Sequence, residues 1–348
     1  MIISSRRHDL HLHHPFRIAR GVQEVAQILV VAIEEGLGEA SPSSFYGETR
    51  STVEAVLPEF EPFLGEDLSL VETIMDRIQA RIGGNPAAKA AVDLALHDLA
   101  GKRLGTPLWR LLGLDPEAAG PTSFTIGIDG IDKVKQKVRE AAQYPILKIK
   151  LGTERDLDII RAVREETDKV VRVDANCGWS RARALSIIPR LADLGVEFVE
   201  QPLPAGDLEG LQLVRNNSPL PIIADESCRT AADIPRLAGV VDGINVKLMK
   251  CGGINQALKL IHAARAHDMM VMIGCMIESS LGITAAAQLT PLVDFADLDG
   301  HLLVNDDPFR GVTVEGGKLI LPPGPGLGVS GPIPTDPAEG TSTIESGN

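Results

Sequence analysis

From residue 122 onward the chain repeats one unit: a short apolar run, then a longer stretch whose apolar positions recur at helical spacing. The runs are TSFTI from 122, ILKIK from 146, VVRVD from 170, VEFVE from 196, PIIAD from 221, GINVK from 243, MVMIG from 270 and VDFAD from 293, so successive starts lie 22 to 27 residues apart. Helical patterns fill most of the gaps, as over Arg181 to Leu194 and Asn255 to His267. Eight strand–helix units at this beat predict a parallel, TIM-type barrel. An open doubly wound sheet shows the same alternation but does not need eight regular units. The first 120 residues differ. Gln27 to Ile33 reads as a β-branched strand, residues 53–82 hold two amphipathic helical patterns, and Ala87 to Leu104 is a helix rich in Ala and Leu. Gly105-Thr-Pro107 breaks that helix, and Gly120-Pro121 marks a domain boundary. The expectation is an α/β protein with an α+β domain over 1–119 and a barrel over 120–310. A Pro/Gly/Ser/Thr-rich tail over 331–348 is expected to lack order.

Composition narrows the function classes. A net charge of −13 argues against nucleic acid or an anionic membrane as partner, and no apolar run reaches the length of a membrane span. The N-terminus lacks the charged-then-apolar layout of a signal peptide. The four cysteines, Cys177, Cys228, Cys251 and Cys275, form no C-x-x-C pair, so reduced thiols in a cytoplasmic protein are expected. His8, His11, His13 and His14 suggest metal binding by composition alone, but alternation through a first strand puts them at surface and edge positions.

The chemistry lies where the runs end. Three consecutive runs close on Asp174, Glu200 and Asp225. The C-terminal strand ends of a barrel form its functional face, so the three carboxylates would converge. Carboxylates that close repel unless a cation lies between them, and an all-oxygen set suits Mg²⁺. Solvated strand ends are the plainer alternative, which leaves their common register unexplained. Lys148 and Lys150, two apart, share one face of the second run, and Lys247 ends the sixth. Turned inward, they flank the carboxylates, and burial would lower a lysine's pKa toward that of a base near neutral pH. The alternative is a solvated polar face, which the helices outside a parallel barrel strand oppose.

These residues sit in segments that resemble the enolase superfamily, specifically its muconate-lactonizing-enzyme subgroup, over nearly everything from Pro15 to about Gly328. The matching segments are Leu147-Lys-Ile-Lys150, Val173-Asp-Ala-Asn176, Glu200-Gln-Pro202, Ala224-Asp-Glu-Ser227 and Lys247-Leu-Met-Lys-Cys-Gly-Gly253. The resemblance implies a (β/α)7β barrel with the first domain as a capping domain, completed by about 311–330. It implies one Mg²⁺ per chain on Asp174, Glu200 and Asp225, Lys150 and Lys247 as an acid/base pair, and Lys148 polarising a substrate carboxylate. Loops around 16–26 and 45–50 would close over the substrate. Asn176 and Glu226, each beside a ligand, would orient ligands or lysines. A lysine on each face permits 1,1-proton transfer, as in a racemase or epimerase.

Asp297 and Asp299 follow the eighth run, share a face and invite a cation. The pair looks like the motif by which dipeptide epimerases of the subgroup, including those acting on Ala-Glu, hold the substrate's α-ammonium. A solvated loop pair or a second ion site remain alternatives. Pro15-Phe-Arg-Ile-Ala-Arg-Gly21, Tyr46-Gly-Glu-Thr49 and Gly274-Cys-Met-Ile-Glu278 resemble the same epimerases, and Glu278 could touch substrate or pack behind it. One departure stands out. Gln23 aligns with a lid arginine that meets the side-chain carboxylate in epimerases acting on Ala-Glu. An amide supplies no charge, so a neutral or hydrophobic C-terminal residue is expected, unless Arg20 substitutes. The resemblance therefore implies a dipeptide substrate and, as an expectation, a homo-oligomer. Rival readings are Ala-Glu epimerisation proper, o-succinylbenzoate synthesis and N-acylamino-acid racemisation, of which the last two have no use for an ammonium site.

Overall fold

The computed structural model describes residues 2–334. An antiparallel meander comes first: β1 (Ser4–Ile18), β2 (Gly21–Ile33) and β3 (Gly36–Ala40). The first half of β2 is exposed and pairs with the end of β1 as a projecting hairpin, whereas Ile28 to Ile33 are buried. The predicted strand at 27–33 is therefore the core half of a longer one. The four N-terminal histidines lie on β1, with His11, His13 and His14 exposed, as the alternation implied.

Helices α1 (Arg50–Leu64) and α3 (Pro86–Arg103) pack on this sheet, and α2 (Val71–Arg81) packs against both helices. α1 starts at Thr49, which exchanges hydrogen bonds with Thr52 and so satisfies two free amides of the first turn. α3 is buried along most of its length, and small side chains let it lie directly on β3. A Cβ at Gly38 would sit 1.9 Å from Ala91 O, and one at Gly36 2.2 Å from Ala95 O. Only glycine admits that approach. The other side of α3 meets the barrel. Ile254 N donates to Asp93 Oδ2 at 2.6 Å, which places a carboxylate at the N-terminus of the helix Ile254–Ala266.

The barrel strands are β4 (Phe124–Ile126), β5 (Ile146–Lys150), β6 (Val170–Asp174), β7 (Val196–Glu200), β8 (Ile222–Ala224), β9 (Gly243–Lys247), β10 (Met270–Gly274) and β11 (Phe295–Asp297). They are parallel and neighbour one another in chain order. A parallel bridge from Thr122 to Ala296 joins the last strand to the first and closes the ring. Each predicted run coincides with a strand. Among the described residues a 3₁₀ turn (Gly300–Leu303) and no α-helix follows β11, in keeping with a (β/α)7β barrel.

After the barrel, β12 (Thr313–Glu315) and β13 (Lys318–Ile320) form a hairpin at the entry to β4, where Thr122 N donates to Gly317 O. The chain then reaches α3, and Leu327 N donates to Asp98 Oδ1 at 2.8 Å. Most of the tail expected to lack order, residues 335–348, lies outside the described residues. No helix among the described residues is long and apolar enough to cross a membrane.

Candidate active site

Parallel register brings the strand ends level. Lys150 pairs with Asp174, Asp174 with Glu200, and Gly274 with both Lys247 and Asp297. Because successive residues of a strand alternate in direction, Lys148 and Lys150 both face inward while Leu147 and Ile149 pack outward under the helices. Lys148, Asp174, Glu200 and Asp225 are at most 1% exposed.

The ammonium groups lie among the carboxylates. Lys148 Nζ is 2.6 Å from Glu200 Oε2, 2.6 Å from Asp297 Oδ2 and 3.6 Å from Asp174 Oδ2. Lys150 Nζ donates to Asp174 Oδ2 at 2.7 Å, and Lys247 Nζ is 2.8 Å from Asp225 Oδ2. Lys250, to which the sequence analysis gave no role, donates at 2.7 Å to Asp225 Oδ1, Asp225 O and Asn245 O. Asn245 in turn donates to Glu200 Oε1 at 2.7 Å. The signal for Lys250 was its place three residues after Lys247, one helical turn along Leu248–Cys251.

Burial and charge oppose each other at every group. Burial would lower Lys148, but Asp297, Glu200 and Asp174 outweigh it and raise the lysine well above its usual value. Lys247 behaves alike: burial is overcome by Asp225 and Glu200. Burial by itself lowers both lysines, as expected, and the carboxylates beside them outweigh it. Burial raises Asp225, yet Lys247 and Lys250 hold it below its ordinary range. Asp174 is likewise lowered, with Lys150 and Lys148 prevailing over burial. Glu200 goes the other way, pushed up to about 7 by burial and by Asp174.

Among the described residues no three acidic, His or Cys side chains close around a point where a metal ion would sit. The lysine ammoniums stand between the acids. The donor set nevertheless fits a hard divalent cation. Three buried carboxylates converge from adjacent strands, and buried oxygens beside them, Asn176 Oδ1, Glu200 Oε2 and Glu226 Oε2, make no hydrogen bond among the described residues. Glu200 Oε2 is close to Lys148 Nζ but outside hydrogen-bond geometry, so it counts as an ionic contact alone.

A cavity of about 410 Å³ opens above these groups, lined by Lys150, Lys247, Asp225, Asn176, Asp297 and Asp299 from the barrel. Ser123 Oγ donates to Asp297 Oδ1 at 2.6 Å and Thr125 N to Asp299 Oδ2 at 2.5 Å. Asp297 is lowered to about 2, with Lys148 overriding burial, whereas burial and the neighbouring Asp297 push Asp299 up to about 7. The rest of the wall is mostly apolar: Phe16, Ile18, Val22, Phe45, Met276, Ile277 and Leu303. Gln23 lines the exposed rim and donates to Val25 O. Arg20 also borders the cavity, but its guanidinium binds Glu226 and Asn176 O. Glu278 is buried behind Met276 and accepts from its amide at 2.7 Å, and burial pushes it up to about 7. All four cysteines are free thiols, and Cys275 contributes to the cavity wall.

Residues 2–113 match the family described as mandelate racemase / muconate lactonizing enzyme, N-terminal domain, and residues 131–331 match the enolase C-terminal domain-like family. The chain belongs to the mandelate racemase / muconate lactonizing enzyme family. Among its curated relatives, an L-Ala-D/L-Glu epimerase of Bacteroides thetaiotaomicron is 43% identical, over 92% of this chain and 86% of that one. A hydrophobic dipeptide epimerase of a Flavobacteria bacterium is 40% identical, over 90% of this chain and 93% of that one. A solved dipeptide epimerase of Enterococcus faecalis, complexed with Mg and L-Leu-L-Tyr, superposes with a TM-score of 0.89 at 38% identity, over 94% of this chain and 98% of that one.

Proposed function

We propose that this family member is a Mg²⁺-dependent dipeptide epimerase that inverts the α-carbon of the C-terminal residue, with preference for a neutral or hydrophobic side chain there. The observation that carries the reading is the placement of Lys150 and Lys247 in one cavity. β5 and β9 are separated by three strands of an eight-stranded ring, so the two ammoniums approach from opposite walls. One lysine Nζ takes the α-proton, leaving the electron pair to spread onto the substrate carboxylate. The other, protonated, returns a proton to the opposite face of the carbon.

In this reading Asp174, Glu200 and Asp225 hold the ion, which when bound supplies positive charge where the second negative charge of the substrate carboxylate develops. Lys148, buried beneath the cavity between Glu200 and Asp297, supplies positive charge toward the same carboxylate. Asn176 and Glu226 orient the ligands, and Glu278 supports the wall. Asp297 and Asp299 fix the free α-ammonium. The N-terminal domain, completed by the segment after the barrel, acts as the cap. Its lid residues add an uncharged amide at Gln23 and the apolar Phe16, Ile18 and Val22, so among the described lid residues that line the cavity a buried carboxylate on the substrate side chain would find no free cation.

The 43% identity to an L-Ala-D/L-Glu epimerase favours a second reading in which the C-terminal residue is glutamate. Pooled dipeptides, sorted by the charge of the second residue and incubated with enzyme and Mg²⁺ in D₂O, decide between them. A one-dalton gain in pools with a neutral second residue is the expected result. Gain in the acidic pool alone selects the second reading. Turnover of an N-acylated amino acid or a succinylbenzoate precursor, with no dipeptide labelled, overturns both.

A further inference from the structure

We propose that Arg20 is a positioning residue: by binding Glu226 it holds the lid hairpin against the barrel, and it is not the contact for a substrate side chain. Arg20 stands at the turn between β1 and β2, with its side chain 31% exposed, and forms an ion pair with a Glu226 side chain that is fully buried. The same guanidinium donates to Asn176 O at 2.9 Å and lies over the Phe45 ring, 4.3 Å from its centroid. One side chain therefore ties together the hairpin tip, the 3₁₀ turn Ser44–Tyr46 and the loops that follow β6 and β8.

The neighbouring backbone is shaped for the docked tip. Ala19 seats in a notch whose floor is two glycines: a Cβ at Gly152 would lie 2.7 Å from Ala19 Cβ, and one at Gly178 3.1 Å from it. Gly152 also has φ of +105°, which few other residues adopt. Ile128 N donates to Arg17 O at 2.9 Å, a third point of attachment. The rest of the tip, Gly21 to Glu24, is exposed.

Charge gives the contact its direction. Glu226 is buried beside Asp225, and among the described residues its ion-pair partner comes from the lid. Lifting the hairpin would leave a buried carboxylate without that partner, which is costly, so the barrel favours the closed position. Weakening the pair lowers the fraction of closed enzyme. In Arg20→Met, which leaves Glu226 in place beside the ligands, apparent affinity falls in proportion while the chemistry of the closed complex is unchanged, so KM rises more than kcat falls.

The kinetic arm of the test rests on the epimerase reading; the structural arm does not. Hydrogen exchange of residues 16–24 would be followed in the full chain for the wild type, Arg20→Met, Glu226→Gln, the double variant and Arg20→Lys. In Arg20→Met and in Glu226→Gln these amides should exchange about tenfold faster, the double variant should be no faster than either, and Arg20→Lys should recover part of the protection. KM for an active neutral dipeptide should rise in parallel in Arg20→Met. If the chain turns over no dipeptide, the epimerase reading fails and the exchange data alone judge the latch. Unchanged exchange in Arg20→Met overturns the proposal. So does a loss of turnover confined to dipeptides with an acidic second residue, which would make Arg20 a substrate contact.

Discussion

Lys148 Nζ lies 2.6 Å from Asp297 Oδ2, so the lysine assigned to the substrate carboxylate and an acid assigned to the substrate ammonium form one buried ion pair. In the proposed reading the two ends of the substrate are therefore met by groups that depend on each other. Asp297→Asn removes a charge from the ammonium site and also one of the acids that hold Lys148 protonated. We expect KM for a free dipeptide to rise by about thirtyfold or more, as for one partner of a buried charge pair. Steady-state kinetics check this, and an unchanged KM would remove Asp297 from the site.

Lys250 is fully buried and meets three acceptors, two of them on Asp225. Lys250→Met keeps the approximate volume but removes the donor from all three acceptors, one of them the carboxylate oxygen Asp225 Oδ1. The variant should lose about 3 kcal/mol of stability, the range for breaking one side of a buried pair. Denaturant unfolding measures it, and Mg²⁺ titration should show weakened binding because Asp225 loses its anchor.

Gly38→Ala tests the contact between β3 and α3. A methyl group 1.9 Å from Ala91 O cannot be accommodated without moving the helix. The expected cost is about 2 kcal/mol or more, in the range of overpacked cores, read as a lower unfolding midpoint.

His97 gives a pH dependence away from the active site. Burial disfavours its charge, but Asp93, 3.3 Å from Nδ1, prevails and raises its pKa above the usual value of 6.5. A raised pKa means the folded state holds the proton more tightly than the unfolded chain. The extra stability is complete below the unfolded pKa and is lost as pH rises through the higher folded one. Thermal midpoints followed from about pH 5.5 to pH 9 should therefore fall more steeply in the wild type than in His97→Gln. Parallel curves would contradict the assignment.

The barrel was legible because a parallel strand covered on both faces is an uninterrupted apolar run, and each run from TSFTI to VDFAD became a strand. The expected runs at 122–126, 221–225 and 293–297 shortened to Phe124–Ile126, Ile222–Ala224 and Phe295–Asp297, the second losing Pro221, which has no N–H to pair. β2 was only half visible, since its projecting end, Gly21 to Glu24, is exposed and makes no apolar pattern. The acids and lysines announced themselves by position at strand ends. Their mutual electrostatics did not: the raised pKa of Lys148 and Lys247 follows from distances across the ring, which no local spacing encodes. The pairing of Arg20 with Glu226 joins residues 206 positions apart.

In the proposed reaction two lysines act on opposite faces of one carbon, and solvent exchange in single variants separates their roles. Lys150→Ala and Lys247→Ala, each loaded with Mg²⁺, would be incubated in D₂O with each epimer of an active dipeptide separately. Both variants should lose epimerisation, and each should retain solvent exchange with at most one epimer, a different one for each lysine. Full epimerisation by either variant, or retention of the same epimer's exchange by both, would contradict the account.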